Sequence, residues 1–257
     1  MPDITEFCRR LESAVPPLAG CEDFDGAAFI PDPTRSVTRV AVALDADIFT
    51  ARAAVDAGAD ILLTHHPMLY GGEPEEGSPQ YAAKELLFSR GIAAMSLHAR
   101  LDAARGGMND ALCAILGIFE PASIQPFGIP EADGLGRIGY IGDLSGRELA
   151  LLVKEKLGAP RVVLTCPEKH IRRAAVVSGS CSDFVPRAAE LGADAVIGGE
   201  FKYHTLELAR ALGICCVGAG HYYTERHATD LLRRLALDAA PRAAVAVLDP
   251  GCPAEVL

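Results

Sequence analysis

Short runs of near-continuous apolar residues, separated by helix-like stretches, recur along the whole chain. Residues 37–44, 60–64, 92–97, 134–142, 161–166, 173–178, 214–219 and 243–248 read as strands. Residues 47–57, 79–90, 109–116 and 224–237 read as helices. A strand that is apolar along its length, without alternation, is buried on both faces. Strands of that kind alternating with helices give a largely parallel sheet covered by helices, so the expected class is α/β. Ser145-Gly146-Arg147-Glu148 has the pattern of a capping box, opening a helix with Leu149, Leu152, Val153 and Leu157 on its apolar side. Asp3-Ile4-Thr5-Glu6 resembles a second box, ahead of Phe7, Cys8, Leu11 and Val15. Residues 119–136 carry Pro121, Pro126 and Pro130 with several glycines and no periodicity, which predicts a linker or long crossover.

His65 and His66 stand at the end of the run 60–64, just before Pro67. In open α/β sheets ligands bind at the carboxyl ends of strands. Neighbouring residues of a strand point to opposite faces, so the two rings converge only if the chain leaves strand geometry there, as Pro67 favours. The pair is either a metal-ligating corner or a solvated turn. Two further fragments favour metal. His98-Ala99-Arg100-Leu101-Asp102 follows the run 92–97, and His221-Tyr222-Tyr223-Thr224-Glu225 follows the run 214–219. Each sets a histidine and a carboxylate one helical turn apart. Imidazole with carboxylate suits zinc, manganese or iron, and a carboxylate can bridge two ions. The eight cysteines form no C-x-x-C pair, and Cys215-Cys216 lies in an apolar run. They read as small buried residues in a reducing compartment.

A shift of 134 positions brings Gly58-Ala59-Asp60 onto Gly192-Ala193-Asp194, Arg39 onto Arg173 and Val42 onto Val176. The histidine–acid fragments need a different shift, 123, to bring His98 onto His221. An internal duplication with edited loops explains this pattern, as does the general likeness of βα units. If duplicated, two lobes of similar topology would each carry one His-x-x-x-acid pair.

At 257 residues the chain can hold one large or two modest α/β domains. No apolar stretch reaches the roughly 18 residues needed to span a bilayer. The start shows no basic segment ahead of an apolar one, so no signal peptide is expected, and a soluble cytoplasmic protein is. A net charge of −10 with no Lys/Arg cluster disfavours a broad nucleic-acid surface.

Taken in order, Thr64-His65-His66-Pro67, His98 to Asp102, Gly106-Gly107-Met108-Asn109-Asp110, Gly199-Glu200-Phe201-Lys202-Tyr203-His204 and Gly220 to Glu225 resemble the Ngg-interacting-factor-three-like family. Its members are often named GTP cyclohydrolase 1 type 2. The resemblance covers about residues 7–248, and the ordered set is specific although no single fragment is. It implies two intertwined α/β lobes, residues 1–125 with 219–257 and residues 126–218. It also implies a homo-hexamer, a trimer of dimers around a cavity, with two divalent metal ions per subunit (zinc, iron or manganese). The implied ligands are His65, His66, Asp102, His221 and Glu225, with Glu225, or Glu225 and Asp102 both, shared between the ions and His98 close by.

One departure is Ala99-Arg100-Leu101, where the family commonly has small polar residues, and Arg100 bears on what lies beside the site. Lys202, Tyr203 and His204 are either supporting groups of the site or the exposed start of a helix. Gly179-Ser180-Cys181-Ser182-Asp183 is either a phosphate cradle or a plain turn. Asp45, at a strand end, is a candidate support for a ligand. His170 and His227 are given no role.

The expected function is metal-assisted hydrolysis, with His98 or His204 as proton shuttle, and the resemblance implies a nucleotide-like or cyclic amide substrate. The competing reading is a metal-handling protein, chaperone or scaffold without turnover.

Overall fold

Nearly every apolar run of the sequence becomes a strand of one of two sheets. A computed structural model describes residues 1–18, 26–68, 74–127 and 133–255. In chain order the elements are α1 (Ile4–Ala14), β1 (Gly26–Phe29), β2 (Arg39–Ala43), α2 (Ile48–Asp56), β3 (Ile61–Thr64), α3 (Pro79–Ser89), β4 (Ala93–Ser96), α4 (Ala99–Ala103) and α5 (Met108–Leu116). There follow β5 (Phe119–Gln125), β6 (Leu135–Ser145), α6 (Gly146–Leu157), β7 (Val163–Leu164), β8 (His170–Val176), a 3-10 turn (Ser182–Phe184), α7 (Val185–Glu190) and β9 (Ala195–Gly198). The chain continues through α8 (Tyr203–Ala211), β10 (Cys215–Gly218), α9 (His221–Glu225), α10 (Ala228–Ala239) and β11 (Ala244–Leu248). It divides into two compact units, Met1–Leu101 with Ala228–Pro253 and Asp102–His227 with Ala254–Leu257.

The first unit holds a sheet in the order β1-β4-β3-β2-β11. β11, β2, β3 and β4 run parallel, and β1 is antiparallel at the edge. Ala41, Ala43, Leu62 and Ala94 pack on one face against Ala51, Ala54, Ala83 and Leu87 of α2 and α3. Val40, Val42, Ile61, Leu63 and Met95 alternate to the other face and are equally buried, as continuous apolar strands require.

The second unit holds a sheet in the order β5-β6-β8-β9-β10-β7. Its centre, β8-β9-β10, is parallel, and β5, β6 and β7 join antiparallel. Leu112, Leu116, Leu149, Val153 and Leu157 of α5 and α6 cover one face. Val185, Ala188 and Ala209 of α7 and α8 cover the other.

Three expectations need correction. The stretch 119–136, expected as a linker or long crossover, contains β5, paired with β6. β5 is an edge strand of which only Ile124 is buried, so it carries no apolar alternation, and Pro121 is tolerated at an edge. Residues 128–132, with Pro130, lie outside the described residues. The helix expected over 224–237 is two helices, α9 and α10, parted at Arg226–His227. The capping box at Ser145 forms in full, whereas at Asp3 only half of it does. There the Glu6 carboxylate turns to Arg9 at 2.7 Å and Arg10 at 2.8 Å instead.

The similarity at an offset of 134 has a physical content inside each unit. Asp60 accepts hydrogen bonds from Thr38 N and Arg39 N at 2.7 and 2.9 Å. Asp194 accepts from Arg172 N and Arg173 N, both at 3.0 Å. Arg39 donates to Ala57 O and Arg173 to Leu191 O, again matching positions. Gly58 and Gly192 both take positive φ at the helix-to-strand turn, +63° and +78°, a region that favours glycine.

Five cysteines, Cys8, Cys113, Cys181, Cys215 and Cys216, are buried, and the described cysteines are free thiols. Burial pushes the thiols of Cys8, Cys113 and Cys215 up to about 12. They act as small apolar residues. Among the described residues no helix is long and apolar enough to cross a membrane.

Candidate metal centre

In the first unit β3 ends at Thr64 and the chain bends at once. His65 N and His66 N donate to Ala43 O and Leu44 O at 3.3 and 2.8 Å, and Thr64 Oγ1 donates to His66 O at 2.7 Å. Two residues that a strand would send to opposite faces thereby converge, with ring centroids 5.1 Å apart. His98, just past the parallel neighbour β4, brings its ring to 5.2 Å from His65 and 5.6 Å from His66. One ligand atom from each of the three lies within 4.8 Å of the other two. These groups are placed to hold a metal ion. His98, expected as a proton shuttle, thus stands among candidate ligands.

The orientation of the rings is set from behind. His65 Nδ1 meets Leu97 O at 3.1 Å, and His66 Nδ1 meets Asp45 Oδ1 at 2.7 Å. An oxygen acceptor at Nδ1 keeps the proton there and directs the Nε2 lone pair to a cation, the usual support of a metal-ligating histidine. His65 is wholly buried, which holds its ring in place.

The second unit repeats the device. α9 is a single short helix, so His221 and Glu225 share a face, with His221 Nε2 and Glu225 Oε2 2.9 Å apart. His221 Nδ1 meets Glu200 Oε1 at 2.9 Å. Glu225 is 3% exposed, and a carboxylate so buried requires a positive partner. The His221 ring is one such partner: Glu200 first, then Glu225, raises its pKa to about 10. A divalent cation beside Glu225 answers the same demand. The donor set therefore fits a metal ion in its chemistry as well as its spacing.

Asp102 lies on α4, and its Oδ1 accepts from Ser178 Oγ at 2.8 Å. Asn109 Nδ2 donates to Asp102 O, and Asn109 Oδ1 accepts from Ser178 N, both at 3.0 Å. His204 is exposed in the first turn of α8, beside exposed Lys202 and Tyr203. Lys202 N donates to Ser182 Oγ at 2.8 Å, so the segment 179–183 is a turn fastened to the start of α8. Arg100 is 3% exposed, and its guanidinium donates to Val15 O at 3.4 Å. Glu200, Asn109, Ser178 and Thr224 were not singled out from sequence. Glu200, Asn109 and Thr224 sit inside the quoted fragments, and their polar contacts carried no signal separate from ordinary helix and turn positions.

A family model described as Duf34/NIF3 (NGG1p interacting factor 3) matches residues 2–249. A Clostridium acetobutylicum protein named GTP cyclohydrolase 1 type 2 homolog is 30% identical over 230 residues, 86% of this chain and 85% of its own. Among solved structures, a Bacillus cereus protein related to NIF3 has a TM-score of 0.88 at 18% identity, covering 100% of this chain and 99% of its own; this likeness carries the fold alone. The protein ybgI, described as of unknown function, has a TM-score of 0.86 at 26% identity, covering 98% of this chain and 100% of its own.

Proposed function

The chain belongs to the Duf34/NIF3 family, and from that premise we propose that it is a metal-dependent hydrolase acting on a nucleotide-like or cyclic amide substrate. Its ligands are His65, His66, Asp102, His221 and Glu225, which together hold two divalent ions, zinc, iron or manganese. The observation that carries the reading is the anchoring of His65, His66 and His221 through Nδ1 by Leu97 O, Asp45 and Glu200. Three rings anchored through Nδ1 leave Nε2 as the atom each can offer to a cation, a donor set of the kind that holds metal.

Such ions supply Lewis acidity and water activated at neutral pH. The protein's part is to present five donors, fewer than two ions can take, so that substrate and water have room to bind. His98 is the group best placed to move a proton beside His65 and His66. His204 is the weaker candidate, being exposed on α8. The substrate class rests on the name of relatives as GTP cyclohydrolase 1 type 2 homologs. A hexamer built as a trimer of dimers, in the cytoplasm, completes the reading; a monomer by light scattering at micromolar protein would refute the assembly.

The test is elemental analysis of the purified protein, followed by assay of the loaded form against nucleotides, phosphoesters and cyclic amides. Turnover that vanishes with chelator and returns with metal is expected. Absence of turnover on all three classes, with transfer of metal to an apo-acceptor, would replace the hydrolase by a metal-handling protein.

A further inference from the structure

Within the second unit one dipeptide touches both parts of that unit's ligand set. Ser178 donates its hydroxyl to Asp102 Oδ1 at 2.8 Å. Gly179, the next residue, takes φ +61°, and its Cα lies so close to α9 that a Cβ there would overlap the Glu225 carboxylate and stand 2.9 Å from His221 Nε2. We infer that the Ser178–Gly179 turn is the positioning element that fixes Asp102 relative to the His221–Glu225 pair, with Asn109 as its anchor. The inference rests on the metal-site reading above.

Four polar groups of the turn, Ser178 N and Oγ and Gly179 N and O, are committed. Asn109, 1% exposed, holds Ser178 N with Oδ1 and Asp102 O with Nδ2. The two residues joined by the Ser–Asp hydrogen bond are thus also joined through their backbones. Gly179 N donates to Thr224 Oγ1 at 3.1 Å, and the Thr224 hydroxyl donates to His221 O at 2.8 Å. Gly179 O accepts from Gly199 N at 2.7 Å. Thr224 lies on α9 between the two ligands and is wholly buried. Displacing the turn would therefore disturb Asp102 on one side and His221 with Glu225 on the other.

A hydroxyl donated to one carboxylate oxygen turns the plane of the group and directs metal binding to the other oxygen. Packing alone would not require it, since alanine fills nearly the same space as Ser178. Glycine at 179 has two physical reasons, the positive φ and the approach of the Glu225 carboxylate.

The test compares wild type, Ser178→Ala, Ser178→Thr and Gly179→Ala, each stripped of metal and titrated with Co(II) while the visible absorption and the thermal melting of the metal-free protein are recorded. For Ser178→Ala the metal-free melting temperature stays near wild type, the cobalt affinity falls about tenfold or more, and the absorption bands shift. Ser178→Thr restores affinity and bands because it restores the hydroxyl. Gly179→Ala loses cobalt binding more completely than Ser178→Ala. If Ser178→Ala keeps wild-type affinity and spectrum while wild type binds cobalt, the positioning role is wrong and the metal site stands. Equal losses in Ser178→Ala and Ser178→Thr, with a lowered metal-free melting temperature, make the serine merely structural. A wild type that takes up no cobalt overturns the metal reading, and this inference with it.

Discussion

Asp45 and His66 are joined by a 2.7 Å hydrogen bond between Oδ1 and Nδ1, and that bond decides which nitrogen His66 offers to a cation. Asp45 follows β2, and its side chain is 40% exposed, so little of the fold depends on it. Asp45→Ala is expected to weaken metal binding about 10- to 100-fold, with far-ultraviolet circular dichroism unchanged. Asp45→Asn falls between, because its amide oxygen still accepts the Nδ1 proton. Competition against a chelator of known affinity checks the order. Equal affinity in all three proteins would remove Asp45 from the site.

Asp60 governs an acid-sensitive part of the first unit. Burial alone would raise its pKa. The hydrogen bonds from Thr38 N, Arg39 N, the Thr38 hydroxyl and the Arg35 guanidinium outweigh burial and hold the carboxyl below its ordinary range. A depressed folded pKa gives stability that is present above the unfolded value, about 3.9, and is lost as pH falls through the folded value. The urea midpoint should therefore drop as pH is lowered from 5 toward 3. Asp60→Asn should cost about 2–3 kcal/mol at pH 7 and shrink that drop, because one contributor to it is gone. An identical pH dependence in the variant would show that other carboxylates carry the effect.

Arg137 is a buried guanidinium, 2% exposed, held by Asp110 Oδ1 at 2.5 Å and by the carbonyls of Gly134 and Gly136 at 2.7 and 3.0 Å. Asp110 also accepts from Gly106 N at 2.6 Å, which shapes the turn ahead of α5. Removing one partner of a buried pair leaves an uncompensated charge, at a cost of about 3–5 kcal/mol. Asp110→Ala should lower stability by that order in chemical denaturation. A change under about 1 kcal/mol would mean that the carbonyls and the Asp133 carboxylate, 3.8 Å away, suffice for Arg137.

What the sequence made legible, and what it did not, follows from the range of the forces involved. Residues 61–64 and 215–218 are recognisable as strands because burial on both faces demands apolar side chains at every position. His221 and Glu225 are recognisable as a pair because one helical turn is a local relation. The likeness of Gly58-Ala59-Asp60 to Gly192-Ala193-Asp194 is visible because both aspartates do the same work on the start of a strand. β5 was illegible: an edge strand with one buried residue has no pattern to show. The contacts of Asn109 with Ser178, 69 residues on, were hidden because a hydrogen bond between distant positions leaves no spacing in either.

The sharpest expectation concerns Glu225. A carboxylate can bind two cations with its two oxygens, whereas a neutral imidazole nitrogen binds one. Glu225 is buried on α9, one turn past His221, and its side chain is longer than that of Asp102. Glu225→Ala should lose both ions or leave one weakly held, while His65→Ala and His66→Ala each mainly weaken one. The fold should persist in all three, because both sheets are covered by apolar helices and need no metal to form, unlike a zinc finger. Metal per chain by elemental analysis, alongside circular dichroism, decides. Two ions retained in Glu225→Ala, with both lost in His65→Ala, would show that Glu225 is not the shared ligand. Two ions in every variant would move the site elsewhere. A wild type with one tightly held ion under metal-replete conditions would reduce the centre to a single cation, and then Glu225→Ala and His65→Ala should fall together.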